Sequence, residues 1–259
     1  MTAATVPPTR AYRRLSVEER RAQLLGAALT LFAQRAPDEV SLDEVATVAG
    51  VSRPLVYRYF PGGRQQLYEA ALRSASDELI LCFAEPPVGP PTERVGRVLD
   101  RYLAFVDEHD TGFSALLRGG SVVGTSRTTA IVDEVRRAAA EQILLHLGRF
   151  DAGAGATPGP RLRMMVRTWI AAVEAASLIW LDEGKQPAAA ELRGWLVDQL
   201  LAQLAVTATT DPQTASVVEA LLPLEDAEGP AGRLAERLAA VADGAGHLLP
   251  ADPSVRLGR

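Results

Sequence analysis

Cysteine, lysine and histidine are scarce in this chain of 259 residues, and the scarcity of cysteine and of histidine each excludes a class of protein. Cys82 is the single cysteine, which rules out a disulfide framework within the chain and fits a reducing cytoplasm. Lys185 is the only lysine. The three histidines, His109, His146 and His247, lie far apart and share no metal-ligand spacing, and together with the single cysteine they supply no convergent catalytic set. We therefore predict no metal site, no cofactor and no enzymatic activity.

Long hydrophobic runs are also missing. No uninterrupted run approaches the roughly 20 apolar residues of a membrane-spanning helix, and no apolar segment follows the charged N-terminus as in a secretory signal. We predict a cytoplasmic protein without a membrane partner. Apolar residues nevertheless make up 47% of the chain, which suffices for a sizeable core in one large or two smaller domains. Because no segment alternates as a strand does, the predicted fold class is all-α.

Positive charge is concentrated near the N-terminus. Residues 10–64 hold nine arginines against six acidic residues and so carry +3; since the whole chain carries −5, the rest carries −8. A basic N-terminal segment, here called the head, on an otherwise acidic chain suits an anionic polymer that docks at that segment only. Residues 1–15 are predicted to be a flexible basic arm ending in Arg10, Arg13 and Arg14. This arm is either a solvated tail or a contact to the minor groove or phosphates.

Capping signals divide residues 16–64 into three helices. Ser16 and Ser41 each begin a capping box, in which the serine oxygen accepts from an orphan amide and a glutamate three residues on reaches back. Ser52 is predicted to cap a third helix, with Pro54 in its first turn, where a missing amide costs little. The sequence Pro61-Gly62-Gly63 ends this helix. The predicted helix ends lie near residues 35, 48 and 60.

The second and third helices have the spacing of a helix-turn-helix. Ala46, Gly50 and Val56 stand at offsets 0, 4 and 10, where this motif needs a small crossing residue, a turn glycine and a buried apolar residue. That arrangement lets the third helix enter a major groove. The predicted DNA-binding residues are Ser41, Ser52, Arg53, Pro54, Leu55, Tyr57, Arg58, Tyr59 and Arg64. The alternative is that the tyrosines pack inside the head and the arginines form a solvated face.

Each exposed side chain of the third helix is assigned a role by its chemistry. Arg53 can make a bidentate contact to guanine, and Leu55 can touch a thymine methyl. Tyr57, near the edge of the face, and Tyr59, facing outward, have hydroxyls suited to phosphate oxygens, which position the protein without reading sequence. Arg64 adds a phosphate contact from the next helix. Ser41 offers a hydroxyl beside the free amides of a helix start, a ready phosphate site.

The same stretch resembles a known family. The segments RRAQLLGAALTLFAQR and VSLDEVATVAGVSRPLVYRYFPGGRQQLYEAAL are similar to the N-terminal domain of TetR-family bacterial transcriptional repressors, over about residues 17–73. Tyr59 stands where many members have histidine. Arg64, after a turn one residue longer than the commonest form, stands where most have lysine. Both departures keep a group that can contact phosphate.

The resemblance implies a sequence-specific transcriptional regulator, most simply a ligand-released repressor that binds a near-palindromic operator as a dimer. An activator or an architectural DNA binder with the same head is an alternative. An all-helical enzyme is a further alternative, for which the sequence offers no convergent catalytic groups. The sequence does not separate repression from activation, because the outcome depends on where the operator lies relative to a promoter.

Beyond the helix-turn-helix domain of residues 16–64, the chain is predicted to be helical throughout. A connecting helix at 65–84 leads to a proline-rich break, and residues 85–206 form a helical ligand-binding and dimerisation domain. Its predicted helices span 92–108, 112–120, 125–149, 160–183 and 188–206. Residues 207–259 are predicted to be an extension, partly helical or disordered, with short helices beginning after Asp211 and Gly229.

By the resemblance, the helices at 160–183 and 188–206 form a four-helix bundle with their twins in a homodimer. The first offers a close-packing surface, and the second carries a leucine at every fourth position. The small or apolar residues of the first are Ala171, Ala172, Ala175, Ala176 and Ile179, and the leucines of the second are Leu192, Leu196, Leu200 and Leu204. The alternative is that both sets belong to a core within one chain.

An effector pocket is predicted in the same domain. The candidate lining residues are Tyr102, Phe105, His109, Phe113, Leu116, Leu117, Arg118, Trp169, Val173 and Glu174. Each is alternatively an ordinary core or surface residue, because helical domains bury such residues in any case. A largely apolar pocket with few polar groups suits a lipophilic or aromatic small molecule.

Overall fold

A computed structural model describes residues 15–32, 34–110, 113, 126–148 and 158–244. Over these residues the chain forms ten α-helices and one 3-10 helix without any strand, which confirms the all-α prediction. The helices are α1 (Val17–Phe32), α2 (Leu42–Val48), α3 (Arg53–Tyr59), α4 (Gly63–Cys82), α5 (Pro91–Glu108), α6 (Ser126–Gly148), α7 (Pro160–Asp182), α8 (Ala189–Ala208), α9 (Pro212–Leu221), the 3-10 helix (Leu222–Leu224) and α10 (Pro230–Gly244). The predicted arm at 1–15 lies almost wholly outside the described residues, as does most of the predicted helix at 112–120.

The chain divides into two compact units, Met1–Ala75 and Ser76–Arg259. The division falls inside α4 rather than at the proline-rich segment that follows it. Leu67 and Ala71, in the first half of α4, are fully buried in the core of the first unit, the head. Leu79, in the second half, belongs to the core of the second unit, the body. One helix therefore contributes to both hydrophobic cores.

In the head, α1, α2, α3 and the start of α4 enclose one core. Both predicted capping boxes are present: the Ser16 hydroxyl accepts from the Glu19 amide at 3.0 Å, and the Ser41 hydroxyl accepts from the Glu44 amide at 3.2 Å. The regular part of α1 ends at Phe32, earlier than the predicted Arg35. The Arg35 amide still donates to the Leu31 carbonyl, so the chain closes with a turn before the next proline.

In the body, α5 to α9 enclose a second core. The Trp169 indole donates to the Leu196 carbonyl at 3.0 Å and so joins α7 to α8. The predicted body ended at residue 206, but α8 continues to Ala208 and α9 packs beside it, with Val217 in the shared core. The α9 start follows the predicted signal, since Asp211 accepts from the Thr214 amide at 3.1 Å. A buried apolar face thus makes α9 part of the body.

The leucines of α8 are buried within the chain. Leu192, Leu196, Leu200 and Leu204 all belong to the body's own core. These four residues belong to a core within one chain, so the prediction that the leucine repeat forms the dimer interface was wrong. On α7, by contrast, Ala171, Ala175 and Ile179 are exposed, while Ala172 and Ala176 are half-buried.

The proline-rich segment after α4 is attached to the body through Glu85. Its side chain is only 6% exposed, and it pairs with Arg97 at 2.7 Å and Arg101 at 2.8 Å on α5. The Arg101 guanidinium also donates to the Cys82 carbonyl at the end of α4. This segment is a fixed connection between α4 and α5, because its carboxylate is buried only together with two cations.

The start of α5 is capped by Glu225, a residue that follows the 3-10 helix. The residue before α5 is Pro90, whose side chain makes no capping hydrogen bond. Instead, Glu225 accepts from the Thr92 amide at 3.0 Å and from the Thr92 hydroxyl at 2.5 Å, across 133 positions of sequence. The α10 helix is held nearby, where Arg237 pairs with Asp198 of α8 at 2.5 Å.

One helix in the described part of the chain is long and apolar enough to span a membrane by length and composition. This helix is α7, with a mean hydropathy of 1.4 over its most apolar 18 residues, of which 33% are buried. Core and interface helices of globular proteins pass the same test. Its apolar character is divided between a buried face and an exposed one.

Candidate nucleic-acid interface

The turn between α2 and α3 has the geometry that the sequence spacing predicts. Gly50 adopts a φ of 64°, a left-handed conformation that glycine adopts without steric cost. The Val51 amide donates back to the Ala46 carbonyl at 2.9 Å, and Ala46 and Val56 are both buried where the helices cross. From α1, the side-chain amide of Gln23 donates to the Ala49 backbone carbonyl at 2.8 Å. The angle between α2 and α3 is thus fixed by hydrogen bonds and packing.

The outer face of α3 carries most of the predicted DNA contacts. Arg53, Tyr57 and Arg58 are exposed, and Leu55 is half-buried. Ser52 and Pro54 are exposed at the start of the helix. No acidic residue lies in the first turn of this helix. The exposed side of α3 therefore presents two guanidinium groups and a phenol.

The two tyrosines of α3 are placed differently from the prediction. Tyr57 is 40% exposed, whereas Tyr59 is half-buried and packs against the head core. The reason is helical spacing: Tyr57 follows Arg53 by four residues and shares its outer side, while Tyr59 follows the buried Val56 by three. Tyr59 therefore packs partly inside the head, as the alternative to DNA contact predicted, and Tyr57 is the outward-facing tyrosine.

Arg53 is held by two neighbours. Its Nε lies 2.8 Å from Oδ1 of Asp43 in the first turn of α2. Its guanidinium carbon stands 5.5 Å from the centre of the Tyr57 ring, and Nη2 is 3.4 Å from the Tyr57 hydroxyl. The Tyr57 hydroxyl and the Asp43 charge both raise the pKa of Arg53. Asp43 was not among the predicted residues, because the helix-turn-helix spacing predicts that the two helices cross and not which of their exposed side chains meet.

At the start of α2, Ser41 and Glu44 form a closed set of hydrogen bonds. Glu44 accepts from the Ser41 amide at 2.9 Å, the Ser41 hydroxyl at 2.8 Å and Arg35 at 2.8 Å. These bonds lower the pKa of Glu44 to about 2, with the Ser41 amide as the largest cause. A phosphate contact at Ser41, which stays a prediction, would compete with this carboxylate. Ser52 occupies the corresponding position of α3, but its side chain makes no capping hydrogen bond, contrary to the prediction.

Arg64 connects α4 to the turn after α1. Its Nη1 donates to the Asp38 carbonyl at 2.7 Å, and the side chain is otherwise exposed. A guanidinium has five N–H donors, so the remaining ones can still contact a phosphate. Arg21 of α1 lies over the buried Phe60 ring at 5.0 Å and adds a second cation at the end of α3.

Several candidate pocket residues meet in the body core. Tyr102, Phe113, Trp169 and Val173 are buried in one cluster, and the Tyr102 and Phe113 rings meet edge to face at 6.3 Å. The Tyr102 side chain is 7% exposed, and within the described structure its hydroxyl has no hydrogen-bond partner. Burial raises the pKa of this phenol, so it stays a neutral donor. The Trp169 indole, in contrast, is already paired with a backbone carbonyl.

The other candidates lie nearer the surface or outside the described residues. Phe105 and His109 are half-buried and stack at 4.3 Å. Glu174 is bound by Arg136 of α6 through three contacts of 2.8 to 3.1 Å, a partner that sequence reasoning missed because it lies 38 positions away. Leu116, Leu117 and Arg118 lie outside the described residues. Within the described part, no group of three or more histidine, cysteine or acidic side chains is placed to hold a metal.

Comparison with known proteins matches both units. The family model for bacterial regulatory proteins of the tetR family matches residues 24–71, and the model for the tetracyclin repressor-like C-terminal domain matches residues 91–222. A TetR-family transcriptional regulator from Streptomyces coelicolor is 50% identical and superposes with a TM-score of 0.81. The match covers 88% of this chain and 100% of that one.

Two further regulators are similar over much of the chain. The transcriptional activator FasR of Mycolicibacterium smegmatis is 29% identical over 174 residues, which are 66% of this chain and 77% of FasR. FadR of Bacillus subtilis, solved in complex with stearoyl-CoA, has a TM-score of 0.57 at 13% identity, covers 69% of this chain and 96% of its own, and shows the fold alone. The predicted resemblance is confirmed: the chain belongs to the TetR family of bacterial regulatory proteins and is a DNA-binding transcriptional regulator.

Proposed function

We propose that this regulator is a repressor that binds a near-palindromic operator as a homodimer and leaves it when a small molecule enters the body. The observation that carries the proposal is the exposed face of α3, where Arg53, Tyr57 and Arg58 project from a helix packed on a rigid turn. An arginine at the first residue of a recognition helix is well placed for a base edge, because the first residues of that helix enter the groove.

A second copy of the chain is the proposed partner of α7 and α8. Each helix has an exposed face of apolar or small side chains, and the apolar ones include Met164 at 67% exposure, Ile179 at 61% and Val206 at 70%. The exposed set is Met164, Thr168, Ala171, Ala175 and Ile179 on α7 and Trp195, Ala202 and Val206 on α8. A shallow groove of about 550 Å³ runs between the start of α7 and the end of α8. Contiguous exposed apolar surface of this kind marks a protein interface rather than a solvated face.

Dimerisation through this face supports the operator symmetry. Two-fold symmetry relates the two copies of α3, and half-sites one helical turn apart require them roughly 34–36 Å apart. The same face accounts for the apolar character of α7 without a membrane, and we propose that the protein acts in the cytoplasm and has no catalytic activity.

The proposed effector is a largely apolar molecule that carries a polar group. The Tyr102 hydroxyl supports this, because it is buried beside Ser177 without a well-formed hydrogen bond in the described structure, and a bound acceptor would satisfy it. The surrounding side chains are aromatic or aliphatic, apart from Ser177, which donates to the Val173 carbonyl, and the Arg136–Glu174 pair. FadR shows that this fold can hold an acyl-CoA.

The experiment compares two arginine variants on two duplexes by fluorescence anisotropy. The operator is first selected from random DNA by the purified protein, and a scrambled duplex serves as the reference. Arg53→Ala should weaken operator binding by about 10-fold or more and leave scrambled DNA nearly unchanged. Arg64→Ala should weaken both duplexes alike and reduce the slope of log K against log salt by about one. Equal losses on both duplexes for Arg53→Ala would contradict base reading.

Activation is the second candidate function, favoured by the similarity to the activator FasR. A reporter fused to the promoter beside the selected operator decides between the two. Expression that rises when the gene for this regulator is deleted supports repression, and expression that falls supports activation. Unchanged expression on deletion contradicts both at that promoter.

A further inference from the structure

Three side chains from two helices meet on the outer face of the head. Asp43 lies in the first turn of α2, Arg53 is the first residue of α3, and Tyr57 lies one turn further along α3. The Asp43 carboxylate holds Nε of Arg53 at 2.8 Å, while the Tyr57 ring lies 5.5 Å from the guanidinium carbon. The Arg53 guanidinium is thus held at its Nε side by the Asp43 carboxylate and lies over the Tyr57 ring.

The two contacts leave a defined edge of the guanidinium available. A guanidinium has two edges that can donate a parallel pair of hydrogen bonds, one formed by Nε with Nη2 and one by Nη1 with Nη2. Asp43 occupies the Nε side of the group as an ion-pair partner at 2.8 Å, and the hydrogen bond that Nη2 donates to the Tyr57 hydroxyl is long, at 3.4 Å. The Nη1–Nη2 edge therefore remains. Its two donors match the O6 and N7 acceptors of guanine in the major groove.

Stability does not account for this contact. Both partners are more than half exposed, at 60% for Arg53 and 55% for Asp43, and exposed ion pairs contribute little to folding. An exposed acid beside a DNA-binding surface also opposes the approach of phosphates. A contact that adds little to stability and costs some affinity for DNA in general is explained if it restricts the conformations of Arg53.

We propose that Asp43 is a positioning residue that orients Arg53 so that its Nη1–Nη2 edge reads one guanine in each operator half-site. The inference rests on the proposed base-reading role of α3. Asp43 touches no base itself; it selects among arginine rotamers before DNA arrives. Without Asp43, Arg53 remains a cation near the groove and binds DNA with less preference for guanine at that position.

The test measures base discrimination rather than affinity alone. Anisotropy titrations use the selected operator and derivatives in which each G·C pair of both half-sites is replaced in turn by A·T. Wild type should lose affinity by about 10-fold or more when the pair read by Arg53 is replaced, and this loss is the penalty at that pair. Asp43→Ala should reduce that penalty at least threefold while binding scrambled DNA more tightly than wild type does. The matched control is Glu39→Ala, which removes another exposed acid of the head with no described contact to Arg53. It should tighten scrambled binding too, but keep the full penalty.

A double-mutant cycle with Arg53→Ala separates this inference from the proposed function. If Asp43 acts through Arg53, Asp43→Ala changes discrimination at that pair in wild type and not in the Arg53→Ala background. Full discrimination retained by Arg53→Ala at every pair would overturn the base-reading role. If Arg53→Ala loses discrimination at one pair while Asp43→Ala keeps the full loss of affinity on replacing that pair by A·T, only the positioning role is overturned. Thermal melts of all variants check that the head stays folded. If Asp43→Ala unfolds it, Asp43→Ser replaces it under the same criteria.

Discussion

At the scale of single residues, Glu44 shows how local chemistry organises the head. Its carboxylate accepts two hydrogen bonds from Ser41 and one from Arg35, so it closes the start of α2 and ties that start to the chain following α1. All three donors favour the ionised form, which is why its pKa falls to about 2. The same carboxylate places negative charge at the positive end of a helix dipole.

Glu44→Gln should therefore reduce stability in a pH-dependent way. The folded pKa of about 2 lies below the ordinary value of 4.5, so the charge contributes stability that is fully present above about pH 4.5 and is lost as the pH falls through 2. In denaturant titrations, the variant should have a lower midpoint than wild type at pH 7, and the two midpoints should converge between pH 4.5 and 2. A difference that stays constant over this range would contradict an ionic origin.

Residue-level prediction succeeded where the relevant contacts are local in sequence. Each capping box joins residues three positions apart, and the turn glycine and crossing residues follow from fixed offsets. Prediction was wrong about the outward orientation of Tyr59, whose half-burial depends on the rotation of α3 about its axis, and about a capping hydrogen bond from the Ser52 side chain. A phosphate contact by Tyr59 stays a prediction. It missed Asp43 and Arg136, because each meets its partner through tertiary packing that no local pattern encodes.

At the scale of elements, the turn between α2 and α3 depends on a glycine. Gly50 has a φ of 64° and no atom within 4 Å of an added Cβ, so its replacement costs conformational energy without a steric clash. Gly26 likewise has no neighbour within 4 Å, but it lies inside α1. The two glycines therefore offer a matched pair in which only the backbone conformation differs.

Gly50→Ala should destabilise the head by about 1–2 kcal/mol, the cost of a left-handed conformation for a residue with a Cβ. Gly26→Ala should stabilise it by about 0.5–1 kcal/mol, because alanine is the better helix former. Chemical denaturation of both variants measures the difference. Equal signs for the two substitutions would contradict the assigned backbone conformations, and Gly50→Asn should recover part of the loss because asparagine tolerates this region.

The helices themselves could be placed closely from sequence. The predicted spans 92–108, 160–183 and 188–206 differ from α5, α7 and α8 by two residues or fewer at either end. Prolines, glycines and capping residues signal these ends locally. Membership of α9 in the body could not be predicted in the same way, because it depends on the burial of Val217 through tertiary packing against α8.

At the scale of the whole molecule, the exposed face of α7 and α8 is the surface through which we propose that two copies associate. The sequence favoured leucines for this role, since a leucine at every fourth position is typical of a helix interface. The structure places those leucines inside the chain, so the outward side is left to smaller residues, with Ala175 among them, and to Trp195. Periodicity reports that a helix has an apolar face; it does not report which neighbour covers that face.

Ala175→Arg should convert the proposed dimer to a monomer, because it places a long charged side chain where small residues allow close approach. Sedimentation equilibrium at micromolar concentration should show the change, and operator affinity should fall by about 100-fold or more as the two half-sites are no longer bound together. The control is Leu238→Arg on α10, another exposed apolar residue at 52% exposure, which should leave the dimer intact. Dissociation by Leu238→Arg alone would place the interface on α10.

The proposed effector is the part of the proposed function that the sequence specifies least. Candidate pocket groups come from three helices, with Tyr102 on α5, Arg136 on α6 and Val173 and Glu174 on α7. Such a site has no spacing that a linear pattern can reveal, and its chemistry follows from one unpaired phenol in an apolar environment. The DNA-reading site is the opposite case, because one short helix carries most of it.

The bond between Glu225 and Thr92 has a consequence for the order in which the protein is made. The ribosome produces α5 early, yet the carboxylate that completes its first turn is added 133 positions later. At roughly 5–20 residues per second, the nascent chain waits on the order of ten seconds for it. A chain released after residue 222, where the C-terminal family model ends, would never receive it. The start of α5 is therefore secured only once synthesis has passed the last helix of the matched domain.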